Sequence, residues 1–401
     1  MRFAVVVVGY NRIEGIIRLI YSLNVVDYFG DRVDLIISLD KSDMEGKIVL
    51  AVTQIEWPFG EIKIRTFPER QGLRRHVLSC GEFLSDYDAI AVLEDDLLVS
   101  PSLYSYARAC YEKYADNENI AGVSLYKHLY NQNSSRPFEP ESTQYDAYFM
   151  QYAASWGQIW FRKQWQAFQE WYGEHAATFG LTEGVPDHIC RWPNSSWLKY
   201  HIRYCIETNK YFVYPYQSIS TCFSEKGEHT GRKLTKYQVP VISDIKAEFA
   251  LPDYEKAIKY DAYFERVFDG VSICGISSND ICMDIYGQKH SFDGKRYVVS
   301  TQALPYKVID SFSLDMRPHE NNILYGIKGR DFFLYDSLVN CKAPKRNREA
   351  IFRYYFRLDG NSLDVLYSAV HRADVLYNVI NHIKCSIFKQ RRQKSNNDLQ
   401  K

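Results

Sequence analysis

The stretch that decides the fold is residues 90–99, IAVLEDDLLV, in which a short apolar run ends in three adjacent acids and then resumes. Short apolar runs rich in β-branched residues are typical of buried strands. Three carboxylates beside such a strand are costly to bury without a positive partner. A divalent cation would neutralise them, and hard oxygen ligands suit Mg2+ or Mn2+ shared with substrate phosphates. The alternative is an acidic turn in which Ser100 or Pro101 opens the next helix.

Strands and helices alternate ahead of this stretch. The apolar pattern predicts strands and helices in turn over residues 3–8, 12–23, 33–39, 44–55, 62–67 and 72–83, with Asn11 capping the first helix. This alternation predicts an α/β fold with a parallel sheet and right-handed crossovers. In such sheets ligands lie beyond the carboxyl ends of the strands.

Polar residues follow three of the predicted strand ends. They are Asn11 with Arg12, then Asp40, then Glu94 and the two acids after it. Their convergence at one edge of the sheet favours a nucleotide site. The sequence contains neither G-x-G-x-x-G nor G-x-x-x-x-G-K-[ST], which excludes a dinucleotide fingerprint and a P-loop.

Composition narrows the class of protein. The 401 residues suffice for two domains, or for one large domain with appendages. Lys plus Arg and Asp plus Glu number 49 each, so no global field indicates a nucleic-acid partner. The nine Cys form no C-x-x-C pair and are typical of reduced thiols in the cytosol. No stretch approaches the roughly 18 apolar residues of a spanning helix, so we expect a soluble, cytoplasmic protein.

An ordered set of short motifs resembles a known family. Residues 9–12 (GYNR), 38–40 (SLD) and 93–96 (LEDD), the last followed by VSP at 99–101, resemble the GT-A nucleotide-sugar glycosyltransferases over roughly residues 3–230. More narrowly, the chain is similar to the α-mannoside β-1,2-N-acetylglucosaminyltransferase of N-glycan synthesis and to related bacterial polysaccharide glycosyltransferases. The resemblance implies the Rossmann-like GT-A fold and metal-dependent, inverting transfer from a UDP-sugar.

The resemblance also assigns roles in donor binding. It implies that Asp96 is the ligand of Mn2+ or Mg2+ and that Glu94 and Asp95 face the sugar and ribose of the donor. It places Asp40 against the uridine. The remaining residues that it implies for the nucleotide and its diphosphate are Gly9, Tyr10, Asn11, Arg12, and Arg74 or Arg75. A guanidinium suits phosphate oxygens because it binds them through two hydrogen bonds; for the last two arginines the alternative is a solvated helix face.

Two further residues are predicted to contact the donor. Trp156 lies where the family's tryptophan lies under the transferred sugar, and Gly157 beside it leaves room for a ligand. Its alternative is a packed aromatic core. His229 lies among glycines and basic residues, which suits a loop that closes over the metal-diphosphate, and its alternative is an exposed loop with an incidental histidine.

The catalytic base departs from the family pattern. Residues 192–197, WPNSSW, lie where the related eukaryotic enzyme carries acids between two tryptophans, and Ser195 and Ser196 stand there instead. The nearest acids upstream are Asp187 and Glu183, so we predict that Asp187, or otherwise Glu183, accepts the proton of the acceptor hydroxyl.

The chain is predicted to divide into three parts. Residues 1–240 form the catalytic domain, and residues 241–345 a smaller α+β appendage with a helix over 260–264 and strands over 297–300, 307–312 and 332–335. Residues 346–401 form a helical tail whose basic end is suited to an anionic membrane surface or, alternatively, follows a docking helix.

These patterns predict a glycosyltransferase that moves a sugar from a UDP-sugar to a glycan or lipid-linked oligosaccharide acceptor. We expect it to act in bacterial capsule, O-antigen or lipopolysaccharide synthesis, with peripheral contact at the inner membrane. The alternatives are a catalytically silent glycan- or nucleotide-sugar-binding protein on the same fold, and a nucleotidyltransferase.

Overall fold

A computed structural model describes residues 1–223, 236–292, 294–357 and 380. By its internal contacts the chain divides into two units, Met1–Arg346 and Asn347–Lys401.

The N-terminal part of the first unit alternates strands and helices as predicted. Its elements are β1 Phe3–Gly9, α1 Ile13–Asn24, β2 Val33–Leu39, α2 Glu45–Val52, β3 Ile62–Thr66, α3 Leu73–Ser79, a 3-10 helix Cys80–Ser85, β4 Ala89–Glu94, β5 Leu97–Val99 and α4 Leu103–Tyr114. Every residue of β1 and β2 is buried, which explains why these strands are continuous apolar runs instead of alternating ones.

The middle of the chain adds shorter strands and three helices. They are β6 Ile120–Ser124, β7 Tyr130–Asn131, β8 Arg136–Pro137, β9 Ala147–Met150, β10 Gln158–Phe161, α5 Arg162–His175, α6 Asp187–Cys190, α7 Leu198–Glu207, β11 Tyr211–Pro215, β12 Ser220–Cys222, β13 Lys259–Tyr260 and β14 Arg266–Val267.

One ten-stranded sheet forms the centre, in the order β14-β13-β9-β11-β6-β10-β4-β1-β2-β3. Five of its strand pairings are parallel, including those of β1 with β2 and with β4. The antiparallel strand β10 separates β4 from β6. The predicted α/β class with a Rossmann-like, mostly parallel sheet is therefore confirmed.

The apolar residues that follow the three acids form a separate strand, β5, and do not extend β4. β5 leaves the large sheet and pairs with β12 in a small antiparallel sheet. The acids at 94–96 therefore lie at a break between two sheets.

A second, smaller sheet follows in the chain. The remaining elements of the first unit are β15 Ser272–Ile273, β16 Ile276–Ser277, a 3-10 helix Ser278–Asp280, β17 Ile281–Asp284, β18 Tyr297–Ser300, β19 Tyr306–Phe312, α8 Asn321–Leu324 and β20 Phe332–Asn340. Four of these strands form a sheet in the order β17-β18-β20-β19.

Residues 259–267, which run from β13 to β14 of the large sheet, are hydrogen-bonded to residues that flank the strands of the smaller sheet. The Tyr260 hydroxyl donates to Glu320 at 2.7 Å, and Lys289 donates to Asp261 at 2.6 Å. The carboxylate of the fully buried Glu265 accepts from the backbone N–H of Tyr286. These contacts join residues that precede β17 in the chain to residues that follow it. The predicted domain boundary at residue 240 stays a prediction.

Two local predictions are wrong. Residues 260–264 are not helical: after β13 the chain turns, and Phe264 has φ +68°, which a helix excludes. Asn11 does not cap α1, because Arg12 occupies the N-cap position and makes no side-chain capping bond.

The second unit contains the helix α9, Arg348–Phe356, capped by the Asn347 side chain, which accepts from the N–H of Ala350 at 3.2 Å. Apart from residue 380, the predicted helical tail beyond residue 357, with its basic end, lies outside the described residues. Among the helices that the structure describes, none is long and apolar enough to cross a bilayer.

Candidate donor site

The carboxyl ends of three parallel strands meet as the sequence predicts. In the sheet register Gly9 is opposite Leu39, the residue before Asp40, and Val8 is opposite Glu94. The motifs that follow β1, β2 and β4 therefore lie along one edge of the sheet.

Arg12 and Asp95 form an ion pair at this edge. The Arg12 guanidinium bonds the Asp95 carboxylate and lies 3.9 Å from that of Asp96. The Asp95 side chain is 7% exposed and that of Asp96 is 30% exposed, so Asp96 is the more accessible of the two. Arg12 occupies this position because it begins α1, which runs back from the end of β1.

The acids carry more negative charge than Arg12 offsets. Burial, opposed by Arg12 and reinforced by Asp96, raises the pKa of Asp95 to about 6. Burial, then repulsion from Asp96 and Asp95, raises the pKa of Glu94 to about 8. Carboxyl groups that resist ionisation in this way would be stabilised by a cation.

The loop of acids approaches the start of α1 so closely that position 15 must be glycine. A Cβ on Gly15 would overlap the carbonyl oxygen of Asp95. Nothing in the sequence pattern distinguishes this glycine, since the contact joins residues eighty positions apart.

Asp40 is buried at the end of β2 and orders the turn before α3. Its carboxylate accepts from the backbone N–H groups of Lys41, Gln71 and Gly72 at 2.7 to 2.9 Å. Gly72 has φ +74°, a conformation that favours glycine. The predicted contact between Asp40 and the uridine stays a prediction.

His76, which the sequence did not single out, lies behind Asp40. It is 3% exposed, and its Nε2 is 2.8 Å from the hydroxyl oxygen of Ser38. Burial, opposed by Asp40, lowers the pKa of His76 to about 4, so the ring is neutral at physiological pH. The signal in the sequence that could have identified His76 is a polar residue on the buried face of α3.

The two neighbouring arginines of α3 have different surroundings. Arg74 donates to the hydroxyls of Tyr172 and Tyr200 at 2.7 and 2.8 Å and to the carbonyl of Ala176 at 2.5 Å. Arg75 is exposed. The geometry therefore gives Arg74 a structural role, and the predicted diphosphate contact stays a prediction.

A cavity of about 420 Å³ opens beside Glu94. Its lining includes three tryptophans, two of them from the WPNSSW segment. Among the lining residues are Glu94, Trp156, Trp192, Ser195, Ser196 and Trp197. The Trp197 side chain lies close enough to the Glu94 carboxylate to lower its pKa, against the larger effect of burial. Aromatic walls with few polar groups are typical of sites for sugar rings and other small ligands.

A second cavity of about 600 Å³ adjoins the first. Leu73 and Ser195 line both of them, and Arg75 lines the second.

Trp156 lines the first cavity, but the predicted reason for Gly157 is wrong. A Cβ at position 157 would lie 3.1 Å from side-chain atoms of Leu93 and Leu125, and the residue has φ +93°. The glycine serves the backbone turn and close packing, not the approach of a ligand. Trp156 also packs against the ring of Tyr126, with centroids 4.5 Å apart.

The two predicted bases lie away from the cavity lining. Asp187 begins α6 and pairs with Arg191 at 2.8 Å and His290 at 3.7 Å. Glu183 accepts from the hydroxyl of Ser291 at 2.9 Å. Ser195 and Ser196 do line the cavity, so this segment supplies hydroxyls where the family pattern supplies acids.

The predicted metal site rests on one open carboxylate. Among the described residues no group of three or more His, Cys, Asp or Glu side chains is arranged to hold a metal ion. Mg2+ is commonly bound by one or two carboxylates together with substrate phosphates and waters, which fits the half-buried Asp96 beside acids in need of positive charge. His229 lies outside the described residues.

No protein-family model matches the chain, and no curated protein sequence matches it. Solved structures with partial likeness include a mannosyltransferase from Pyrobaculum calidifontis in complex with GDP-Man and Mn2+, at 16% identity and a TM-score of 0.31 over 47% of this chain and 50% of that one. They also include TarS residues 1–349 from S. aureus in complex with UDP-GlcNAc, at 13% identity and a TM-score of 0.36 over 57% of this chain and 60% of that one.

The same TarS segment with UDP matches at 12% identity and a TM-score of 0.35, over 55% of this chain and 60% of that one. The chain thus spans half to three-fifths of these structures. At these TM-scores the likeness carries no inference about function, and the narrower resemblance to the α-mannoside enzyme stays a prediction.

Proposed function

We propose that the chain is a glycosyltransferase that moves a sugar from a nucleotide-sugar, most simply a UDP-sugar, to a glycan or lipid-linked oligosaccharide. One observation carries the proposal: the acids at 94–96 and Arg12 meet at the ends of adjacent parallel strands, and Glu94 opens directly onto a tryptophan-lined cavity. In this proposal the diphosphate binds at the strand ends and the sugar binds in the adjoining cavity.

Asp96 is the proposed ligand of Mn2+ or Mg2+. The bound ion supplies Lewis-acid neutralisation of charge on the departing diphosphate. Arg12 holds Asp95 in place and adds a positive group at the same edge, within reach of phosphate oxygens. Glu94 faces the sugar, since it lines the cavity.

The acceptor is proposed to enter through the second cavity, which shares Leu73 and Ser195 with the first. Asp187, with Glu183 as the alternative, remains the proposed base. Its support is that α6 leads within a few residues to Trp192 and Ser195 of the cavity wall.

The role in bacterial polysaccharide synthesis and the reversible contact with the inner membrane face are proposed on the family resemblance. The membrane contact also rests on the basic residues from Lys384 to Lys394, which lie outside the described residues. Each basic residue near an anionic surface contributes on the order of 1 kcal/mol.

A catalytically silent binder is the second candidate, because Ser195 and Ser196 line the cavity where a carboxylate would act. Turnover of UDP-sugars without acceptor separates the candidates. Slow release of UDP supports a transferase, whereas pyrophosphate indicates a nucleotidyltransferase, and binding without turnover indicates a silent protein. In this assay Asp96→Ala should be inactive, because it removes the proposed metal ligand. The matched control is Asp86→Ala, which removes an exposed acid outside the site and should behave as the wild type does.

A further inference from the structure

Lys199, near the start of α7, is a completely buried lysine whose ammonium holds backbone carbonyls. Its Nζ donates to the carbonyls of Phe179, Cys190 and Trp192, at 3.2, 3.3 and 3.2 Å. An ammonium carries three N–H donors, so these three carbonyls take all of them. A buried ammonium is costly unless its donors are bonded, and an apolar side chain would fill the same space at lower cost. The significance of Lys199 therefore lies in the segments whose carbonyls it holds.

One of these bonds joins the two ends of a segment of the cavity that contains Glu94. All of residues 192–198 except Asn194 line this cavity, and Lys199 follows them directly in the chain. We call residues 192–198 the wall segment. Trp192 is its first residue, so the bond from the Lys199 ammonium to the Trp192 carbonyl closes the segment into a loop. Residues 193–195 are exposed, so packing against the core does not fix their positions, and the ammonium sets the span of the loop.

The other two bonds join the wall segment to the chain ahead of it. Cys190 ends α6, and Phe179 lies in the loop before that helix, with its ring centroid 4.2 Å from the Lys199 Nζ. A second cation, Arg74 of α3, makes a longer contact of 3.4 Å to the carbonyl of Asn194. Two cations thus hold the carbonyls of a part of the chain that has little regular structure of its own.

We propose that Lys199 is a positioning residue for the donor sugar, because its ammonium holds Trp192 and Ser195 where they can contact that sugar. This rests on the proposed function. Lys199 does not itself touch the ligand, since it is completely buried and is absent from the described lining of the cavity. Its loss should therefore weaken binding of the sugar and leave binding of the nucleotide, which is proposed to lie at the strand ends, unchanged.

Lys259 provides a matched control. It too is buried, at 5% exposure, and its ammonium donates to Asp269 at 2.8 Å. It lies in β13, and β9, β11, β6 and β10 of the large sheet separate it from β4, the strand that ends at Glu94. Lys199→Met and Lys259→Met each replace a buried ammonium by an apolar side chain of similar length, and only the first does so beside the wall segment.

The experiment is calorimetric titration of the full chain, with Mn2+, against UDP and against UDP-glucose, UDP-galactose and UDP-GlcNAc. The quantity compared is the affinity for the sugar nucleotide that binds the wild type best, divided by the affinity for UDP. Lys199→Met should lower this ratio about three- to tenfold, the loss expected when one uncharged hydrogen bond to the sugar is misplaced. Lys259→Met should keep the ratio of the wild type. Lys199→Gln, which retains an N–H donor, replaces Lys199→Met if circular dichroism shows that the latter does not fold, and it should lower the ratio in the same direction.

A lysine with a merely structural role would lower the thermal midpoint when replaced and leave the ratio unchanged. An unchanged ratio in the folded Lys199 variant, or an equal fall of the ratio in Lys259→Met, would therefore overturn the inference while leaving the proposed function in place. If neither UDP nor any of the sugar nucleotides binds the wild type, the proposed function fails, and the inference fails with it.

Discussion

The neighbouring residues Arg74 and Arg75 allow a structural role to be separated from a ligand-binding one. We expect Arg74→Ala to destabilise the protein and Arg75→Ala to leave its stability unchanged. Arg74 makes three short hydrogen bonds, to the hydroxyls of Tyr172 and Tyr200 and to the carbonyl of Ala176. Its guanidinium also lies 4.1 Å from the centroid of the Tyr200 ring.

A hydrogen bond from a charged group contributes about 1.5–3 kcal/mol, but bonds from one guanidinium to partly buried partners are not additive. We therefore expect Arg74→Ala to lower the free energy of unfolding by about 3 kcal/mol, well below the simple sum. Arg75 is exposed, and a surface substitution of this kind changes stability by no more than about 0.5 kcal/mol.

Urea unfolding of the wild type and both variants, followed by tryptophan fluorescence, measures this difference. UDP titration of the same samples tests the diphosphate role. An Arg74→Ala protein as stable as the wild type but with weakened UDP binding would refute the reasoning, and the prediction that Arg74 holds the diphosphate would then be correct.

Three further predictions concern donor choice, pH and the base. UDP-glucuronate should bind at least about tenfold more weakly than UDP-glucose, because the described residues that line the cavity include Glu94 and no Lys, Arg or His; equal affinities in a competition assay would contradict this. Burial raises the pKa of Glu320 from 4.5 to about 7, so its contribution to stability is present below pH 4.5 and is lost as the pH rises through 7. The free energy of unfolding should therefore fall less between pH 5 and 8 in Glu320→Gln than in the wild type, at about 1.4 kcal/mol per unit of pKa shift, and an unaltered pH profile would argue against it. Asp187→Asn should reduce turnover while UDP affinity is kept, since a base acts chiefly in the transition state; full activity there, with loss in Glu183→Gln, would transfer the role to the second acid.

Much of the sheet could be predicted because its strands are buried on both faces. Continuous apolar runs mark β1 and β2 to within a residue, and the acids and Asp40 follow from where those runs stop. The small sheet of β5 and β12 could not be predicted, because an apolar run does not show which partner it pairs with.

Side-chain partners were less predictable than strand ends. Arg74 and Arg75 look alike in the sequence, and only the packing of α3 against the tyrosines separates them. Gly157 was expected to admit a ligand but instead accommodates Leu93 and Leu125. Such differences arise from contacts between residues far apart in the chain, which local patterns do not contain.

The most direct test of the donor site is calorimetric titration of UDP into the wild type and Asp96→Ala, each with Mn2+ and with EDTA. Asp96 is the open carboxylate of the cluster, and Asp86→Ala serves as the exposed-acid control. We predict that the wild type and the control bind UDP with Mn2+ and lose that binding in EDTA, and that folded Asp96→Ala does not bind UDP under either condition. UDP affinity that is unchanged by EDTA and by Asp96→Ala would contradict the metal-dependent donor site.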